Sequence, residues 1–133
     1  MTDAPANPRR RILIAEDQPD LANIARLLLE DAGYEVLVVH HADKVLPKVV
    51  LERPDLILLD VMMPSDEGLD GFAICERLKD NPHHAKLPVV MVSAIADGTT
   101  KTEEQMRRTS RADAYLHKPY EPNRLLEVVR ELL

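Results

Sequence analysis

A single cysteine, Cys75, leaves this sequence without the means to form an internal disulfide. No apolar stretch is long enough to span a bilayer, and no apolar signal region stands at the N-terminus. Positive charge is in the minority: 17 Lys and Arg face 23 Asp and Glu, giving a formal net charge of −6. That balance argues against a nucleic-acid-binding face, which would need a basic surface. Arg9-Arg10-Arg11 is the one basic run, and beside a Pro-containing lead-in it reads as a solvated flank of the first strand. These absences predict a soluble protein of a reducing, cytoplasmic compartment, with no membrane partner and no direct nucleic-acid partner. The 133 residues fit one domain, which at that size buries about 68% of its unfolded surface without a covalent staple.

What is present is an alternation of short apolar runs with amphipathic segments of helical length, the pattern of an α/β domain with a parallel sheet. Residues 1–10 hold Pro5 and Pro8 and no periodicity, and are expected to be a disordered tail; the domain spans 11–133. The first strand is expected over 11–16. A helix opened by Pro19 follows, with Leu21, Ile24, Ala25, Leu28 and Leu29 as its apolar stripe and Gly33 as its stop. A strand over 34–39 precedes a helix between 43 and 53 that Pro47 should make short or irregular. The run Leu56–Leu59 is continuously apolar and predicts a central strand, covered on both faces and ending at Asp60. A helix over 71–79 turns Phe72, Ile74, Cys75 and Leu78 inward, and a strand over 88–93 follows. Thr100/Glu103 and Thr102/Gln105 have capping-box spacing and predict a weakly anchored fourth helix. A fifth strand over 114–117 leads to a last helix, begun near Pro122, that buries Leu125, Leu126, Val129 and Leu132.

Polar residues stand where these apolar runs end: Glu16 and Asp17, Asp60, Ser93 and Lys118. In a parallel sheet all strand C-termini open on one edge, so these five are expected to share a pocket. Three carboxylates crowded together repel one another and call for a cation, while an ammonium and a hydroxyl suit phosphoryl oxygens.

In order and approximate spacing, Glu16-Asp17, Asp60 in Leu-Leu-Asp-Val-Met-Met-Pro, Ser93-Ala94 and Tyr115-Leu116-His117-Lys118-Pro119 resemble the receiver domain of two-component response regulators. The resemblance covers residues 11–133. It implies a doubly wound, five-stranded, flavodoxin-like (βα)5 fold with strand order 2-1-3-4-5. It implies that Asp60 accepts a phosphoryl group from the phosphohistidine of a sensor histidine kinase or a histidine phosphotransfer protein. The metal would be Mg²⁺, with Asp17 as direct ligand, Glu16 as outer acidic partner, and Asp60 and the Met62 carbonyl completing the set. Lys118 and Ser93 would bind phosphoryl oxygens. Ser93 and Tyr115 would be the switch pair, reshaping the surface of the fourth helix, fifth strand and fifth helix for a downstream protein or for a phosphorylation-dependent homodimer. Lys118-Pro119 matches the family's cis peptide.

The sequence also departs from that pattern. Many members have Asp where Glu16 stands. Five residues, Ser65–Leu69, separate Met63-Pro64 from Asp70-Gly71 where about two are usual, so Asp66 or Glu67 either leans over the site or is solvated, solvation being expected. The stretch from Ser93 to Lys118 is also long, which would displace the fourth helix. Met62 and Ile95 are apolar and unable to orient an attacking water, so self-dephosphorylation should be slow. The protein is not expected to be an enzyme acting on a separate substrate.

Other classes fit less well. A flavodoxin-type FMN binder would want a Ser/Thr/Gly loop where Asp17-Gln18-Pro19-Asp20 stands, and a haloacid-dehalogenase-type phosphatase would want Asp in place of Met62. A receiver-like module that signals without phosphate remains as the alternative, as does a receiver excised from a larger regulator or hybrid kinase; the intact Met1 favours a free-standing protein. His40 and His41 are neighbours on an expected strand, where successive side chains face opposite ways, against joint chelation. His83-His84 reads as a solvated loop pair, and Cys75 as core rather than redox sensor.

Overall fold

In the computed structural model, which describes residues 9–94 and 111–133, five parallel strands form one sheet. They are β1 (Arg11–Ala15), β2 (Glu35–Val39), β3 (Leu56–Asp60), β4 (Val89–Ala94) and β5 (Ala114–Lys118), in spatial order β2-β1-β3-β4-β5. The chain leaves β1 for β2 and then crosses back to β3, so strand order reverses between β1 and β3, the place where such sheets bind ligands. Every residue of β3 is buried, as its unbroken apolar run requires of a strand with helices on both faces.

The period of two along each strand sorts the apolar residues onto two faces. Ile12, Ile14, Leu56, Leu58, Val90, Val92 and Leu116 line one, under helix α1 (Pro19–Asp31) and the C-terminal helix α4 (Pro122–Leu132). Leu13, Ala15, Ile57, Leu59, Val89 and Met91 line the other, under α2 (Val45–Glu52) and α3 (Gly71–Asp80). The result is a three-layer sandwich with a core on each side of the sheet.

Two helix faces differ from the periodicity reading. In α1 the buried residues are Ala22, Ala25 and Leu29, whereas Leu21 and Ile24 are exposed, Ile24 by 56%. The small side chains of Ala22 and Ala25 let the helix sit close to the sheet, which rotates the larger Ile24 outward. In α4 Val128 joins Leu125 and Val129 in the core, while Leu126 and Leu132 are only partly buried. The expected irregular second helix is a 3₁₀ turn (Ala42–Lys44) running into α2. Pro47 therefore sits in the first turn of α2, where its missing N–H costs no helical hydrogen bond. Arg53 closes α2 in the left-handed region at φ 49°. Gly33, at φ 102°, follows α1 as the stop its sequence position implies. The fourth expected helix and Ile95 lie outside the described residues, as do residues 1–8 of the expected tail.

Candidate functional site: an acidic pocket at the strand ends

Strand parity builds the site. Glu16 continues the face of Ile12 and Ile14, Asp60 that of Leu56 and Leu58, and Lys118 that of Ala114 and Leu116. Three strands thus deliver two carboxylates and an ammonium to the same side of the same edge. Glu16, Asp17 and Asp60 each place a carboxylate oxygen within 4.8 Å of the others. Glu16 and Asp60 are buried and Asp17 is half-buried.

Each group is held. The Lys118 Nζ donates to Asp60 Oδ2 at 2.7 Å and also to Glu16 Oε1. Asp60 Oδ1 accepts the Met62 N–H at 3.0 Å, and Glu16 Oε2 accepts the Gln18 N–H at 3.1 Å. Burial pulls the Lys118 pKa down, but the hydrogen bonds and charges of Asp60 and Glu16 outweigh it and hold the ammonium above its ordinary value. Lys118 is therefore a fixed cation at neutral pH. The Lys118-Pro119 peptide is cis, as the resemblance implies.

Gly71 packs α3 against the acceptor strand. A Cβ built there would stand 2.7 Å from Val61 Cα and 2.9 Å from the Asp60 carbonyl oxygen, so only glycine fits. Its N–H donates to the Val61 carbonyl at 3.0 Å.

Ser93 is buried at the end of β4, one residue beyond Val92, the register partner of Asp60. Ser93 follows Val89 and Met91, and Tyr115 packs on that same core, so the expected switch pair shares one sheet face. Tyr115 is half-buried. Met62 is 75% exposed.

The longer loop does not reach the pocket. Asp66 and Glu67 are exposed, and the acidic group of the pocket is Glu16, Asp17 and Asp60 without them. Asp66 instead turns toward Asp43, whose Oδ2 accepts its N–H at 2.9 Å.

Two residues near the pocket were not singled out in sequence for this role. His40 Nδ1 lies 2.9 Å from the Glu16 carbonyl oxygen, tying the end of β2 to the end of β1. Tyr120 lines a small cavity with Glu16, Asp60 and Val92. Burial pushes its phenol pKa up, the Lys118 charge opposes this, and Glu16 and Asp60 reinforce it. An aromatic directly after Lys118-Pro119 was the available signal.

The donor set fits a small hard cation. Three carboxylates against one ammonium leave the pocket with excess negative charge, and oxygen ligands are what Mg²⁺ takes.

Comparison with known proteins agrees with this geometry. The family profile of the response regulator receiver domain matches residues 12–130. The chain is 37% identical to the DNA-binding dual master transcriptional regulator RpaA of Synechocystis, over 92% of this chain and 48% of that protein. It is 37% identical to the transcriptional regulatory protein BaeR of Escherichia coli, over 100% of this chain and 52% of that protein. The chain thus spans about half the length of these curated relatives. Among solved structures, a putative response regulator from Chloroflexus aurantiacus superposes with a TM-score of 0.84 at 30% identity, covering 94% of this chain and 98% of that one. The receiver domain of a signal transduction histidine kinase from Syntrophus aciditrophicus gives 0.83 at 32% identity, covering 93% and 89%. With fold, pocket and relatives in agreement, the chain belongs to the response regulator receiver domain family of two-component signalling.

Proposed function

We propose that this chain is a phosphorylation-controlled switch in which Asp60 accepts a phosphoryl group from the phosphohistidine of a sensor kinase or a phosphotransfer protein. The observation that carries this reading is the Lys118 ammonium bonded to both Asp60 and Glu16, with Asp17 beside them. An Asp60 carboxylate oxygen forms the new bond to phosphorus while the bond from phosphorus to the donor's imidazole nitrogen breaks, and that nitrogen keeps the electron pair. Phosphoryl transfer asks a protein for positioning and charge neutralisation more than for covalent help. Lys118 supplies both as a point charge near the acceptor, and Ser93 supplies a hydroxyl from the neighbouring strand.

Glu16, Asp17, Asp60 and the Met62 carbonyl are the groups that would hold Mg²⁺. Bound there, the ion would offset the charge of the carboxylates and of the incoming phosphoryl oxygens. On this reading the chain acts on no substrate but its own acceptor, and works in the cytoplasm.

The phosphorylated state adds negative charge and acceptor oxygens at Asp60, which favours any conformation that brings the Ser93 hydroxyl toward them. Tyr115, on the same sheet face as Ser93, couples that movement to the surface of β5 and the C-terminal helix. That surface would meet a downstream protein or a second copy of the chain. Reducing the phosphorylated protein with tritiated borohydride expels phosphate and leaves tritiated homoserine at the acceptor, so peptide mapping tests the reading: the tritium should sit at position 60, and tritium at another position would refute it.

A further inference from the structure

The connection between β3 and α3 is longer than its family's pattern, and the structure shows what the extra residues do. The Ser65 hydroxyl donates to Asp43 Oδ1 at 2.5 Å, and the Asp66 N–H donates to Asp43 Oδ2 at 2.9 Å. Ser65 Oγ in turn accepts the N–H groups of Leu69 at 2.9 Å and Glu67 at 3.2 Å, closing the inserted segment into a turn. Leu69 anchors that turn in the core beside α3. One residue upstream, the Ala42 N–H donates to the Pro64 carbonyl at 3.0 Å. The 3₁₀ turn after β2 therefore grips three consecutive residues of the loop, Pro64, Ser65 and Asp66.

One residue, Met63, separates that grip from Met62. The Met62 N–H rests on Asp60 Oδ1, and its side chain, 75% exposed, contributes little anchoring of its own. Without the grip, the segment between Met63 and Leu69 would be held only by those two apolar ends, and ordering such a loop costs backbone entropy at every residue.

We propose that Asp43, outside the acidic pocket, is a positioning residue for the acceptor: through Ser65 and Asp66 it fixes the loop that sets the Met62 peptide against Asp60. His41, Asp43 and Asp66 also converge as a possible ligand group. Both Asp43 oxygens are already taken by Ser65 and Asp66, however, and the His41 Nδ1 accepts the Asp43 N–H at 3.2 Å, so the group is spent on the loop. The Ser65 hydrogen bond, opposed by burial and aided by the Asp66 N–H, keeps the Asp43 carboxyl below its ordinary pKa, so Asp43 stays ionised at neutral pH.

The role rests on the proposed function for its purpose, and its test separates the two. Asp43→Ala, Ser65→Ala and Ser65→Thr are compared with wild type in amide hydrogen exchange of Met62, metal-free, and in Mg²⁺ affinity by calorimetry. Both alanine variants should exchange the Met62 N–H faster and bind Mg²⁺ about tenfold more weakly, the scale of losing an outer partner of a metal ligand. Ser65→Thr, which keeps the hydroxyl, should restore both. Unchanged Met62 exchange in the two alanine variants would overturn the positioning role whatever the metal result. Absence of Mg²⁺ binding by wild type would instead count against the proposed function.

Discussion

The Lys118 ammonium is shared between Asp60 and Glu16, so a cation carried by β5 bridges carboxylates delivered by β3 and β1. This is the relationship on which the pocket's charge balance turns. The folded-state pKa of Lys118 is raised above its ordinary value of about 10.4. A raised pKa means that the ion pair contributes fully below the unfolded value and is lost as pH rises through the folded one. Tyr120, also raised, has the same sign in the same alkaline window. Urea unfolding on a Tyr120→Phe background should therefore show stability falling above about pH 10.4, and Lys118→Gln should flatten that fall. An unaltered alkaline limb would contradict the assignment.

Asp17 should separate cation binding from the fold. Saturation with Mg²⁺ at about 100 times its dissociation constant stabilises a protein by about 2.7 kcal/mol, and wild type should gain on that scale. Asp17→Asn should lose most of the gain. Metal-free, it should be as stable as wild type or more so, because one of three crowded carboxylates has gone. Thermal unfolding with and without Mg²⁺ reads both, and an equal gain in the two proteins would remove Asp17 from the ligand set.

Gly71→Ala should cost about 1 to 3 kcal/mol, the range for overpacking a close contact. Its Cβ would meet backbone atoms of Asp60 and Val61, and backbone cannot rotate aside. Denaturant unfolding measures this, and a loss of only a few tenths of a kcal/mol would mean that α3 shifts freely.

Much of this was legible in the sequence, for identifiable reasons. The run Leu56–Asp60 announced a strand buried on both faces, and β3 is that strand. The five polar residues at strand ends needed only the direction of a parallel sheet to converge, and Glu16, Asp17, Asp60 and Lys118 do so. Side-chain size defeated the stripe of α1: hydrophobicity ranks Ile24 above Ala22, but close packing on the sheet selects Ala22. The contacts of the inserted loop were not legible either. Asp43 and Ser65 are 22 positions apart, and both belong to turn-forming types that usually bond locally. Only the return of the chain after β2 brings them together.

Met62 should make the phosphorylated state long-lived. It lies two positions beyond the acceptor with an exposed side chain, and its thioether neither accepts a proton nor orients water well. Isolated phosphorylated protein with Mg²⁺ should decay over minutes or longer, and Met62→Glu should hasten the decay. A wild-type half-life of seconds would contradict this.

The central claim is that Asp60 reversibly carries a phosphoryl group. Intact-mass spectrometry after exposure to acetyl phosphate and Mg²⁺ tests it most directly. Wild type should gain the mass of one phosphoryl group, lose it slowly after the donor is removed, and gain none when Mg²⁺ is chelated, while Asp60→Asn stays unmodified. A wild type that takes up nothing, or an Asp60→Asn variant that is modified equally, would contradict the account.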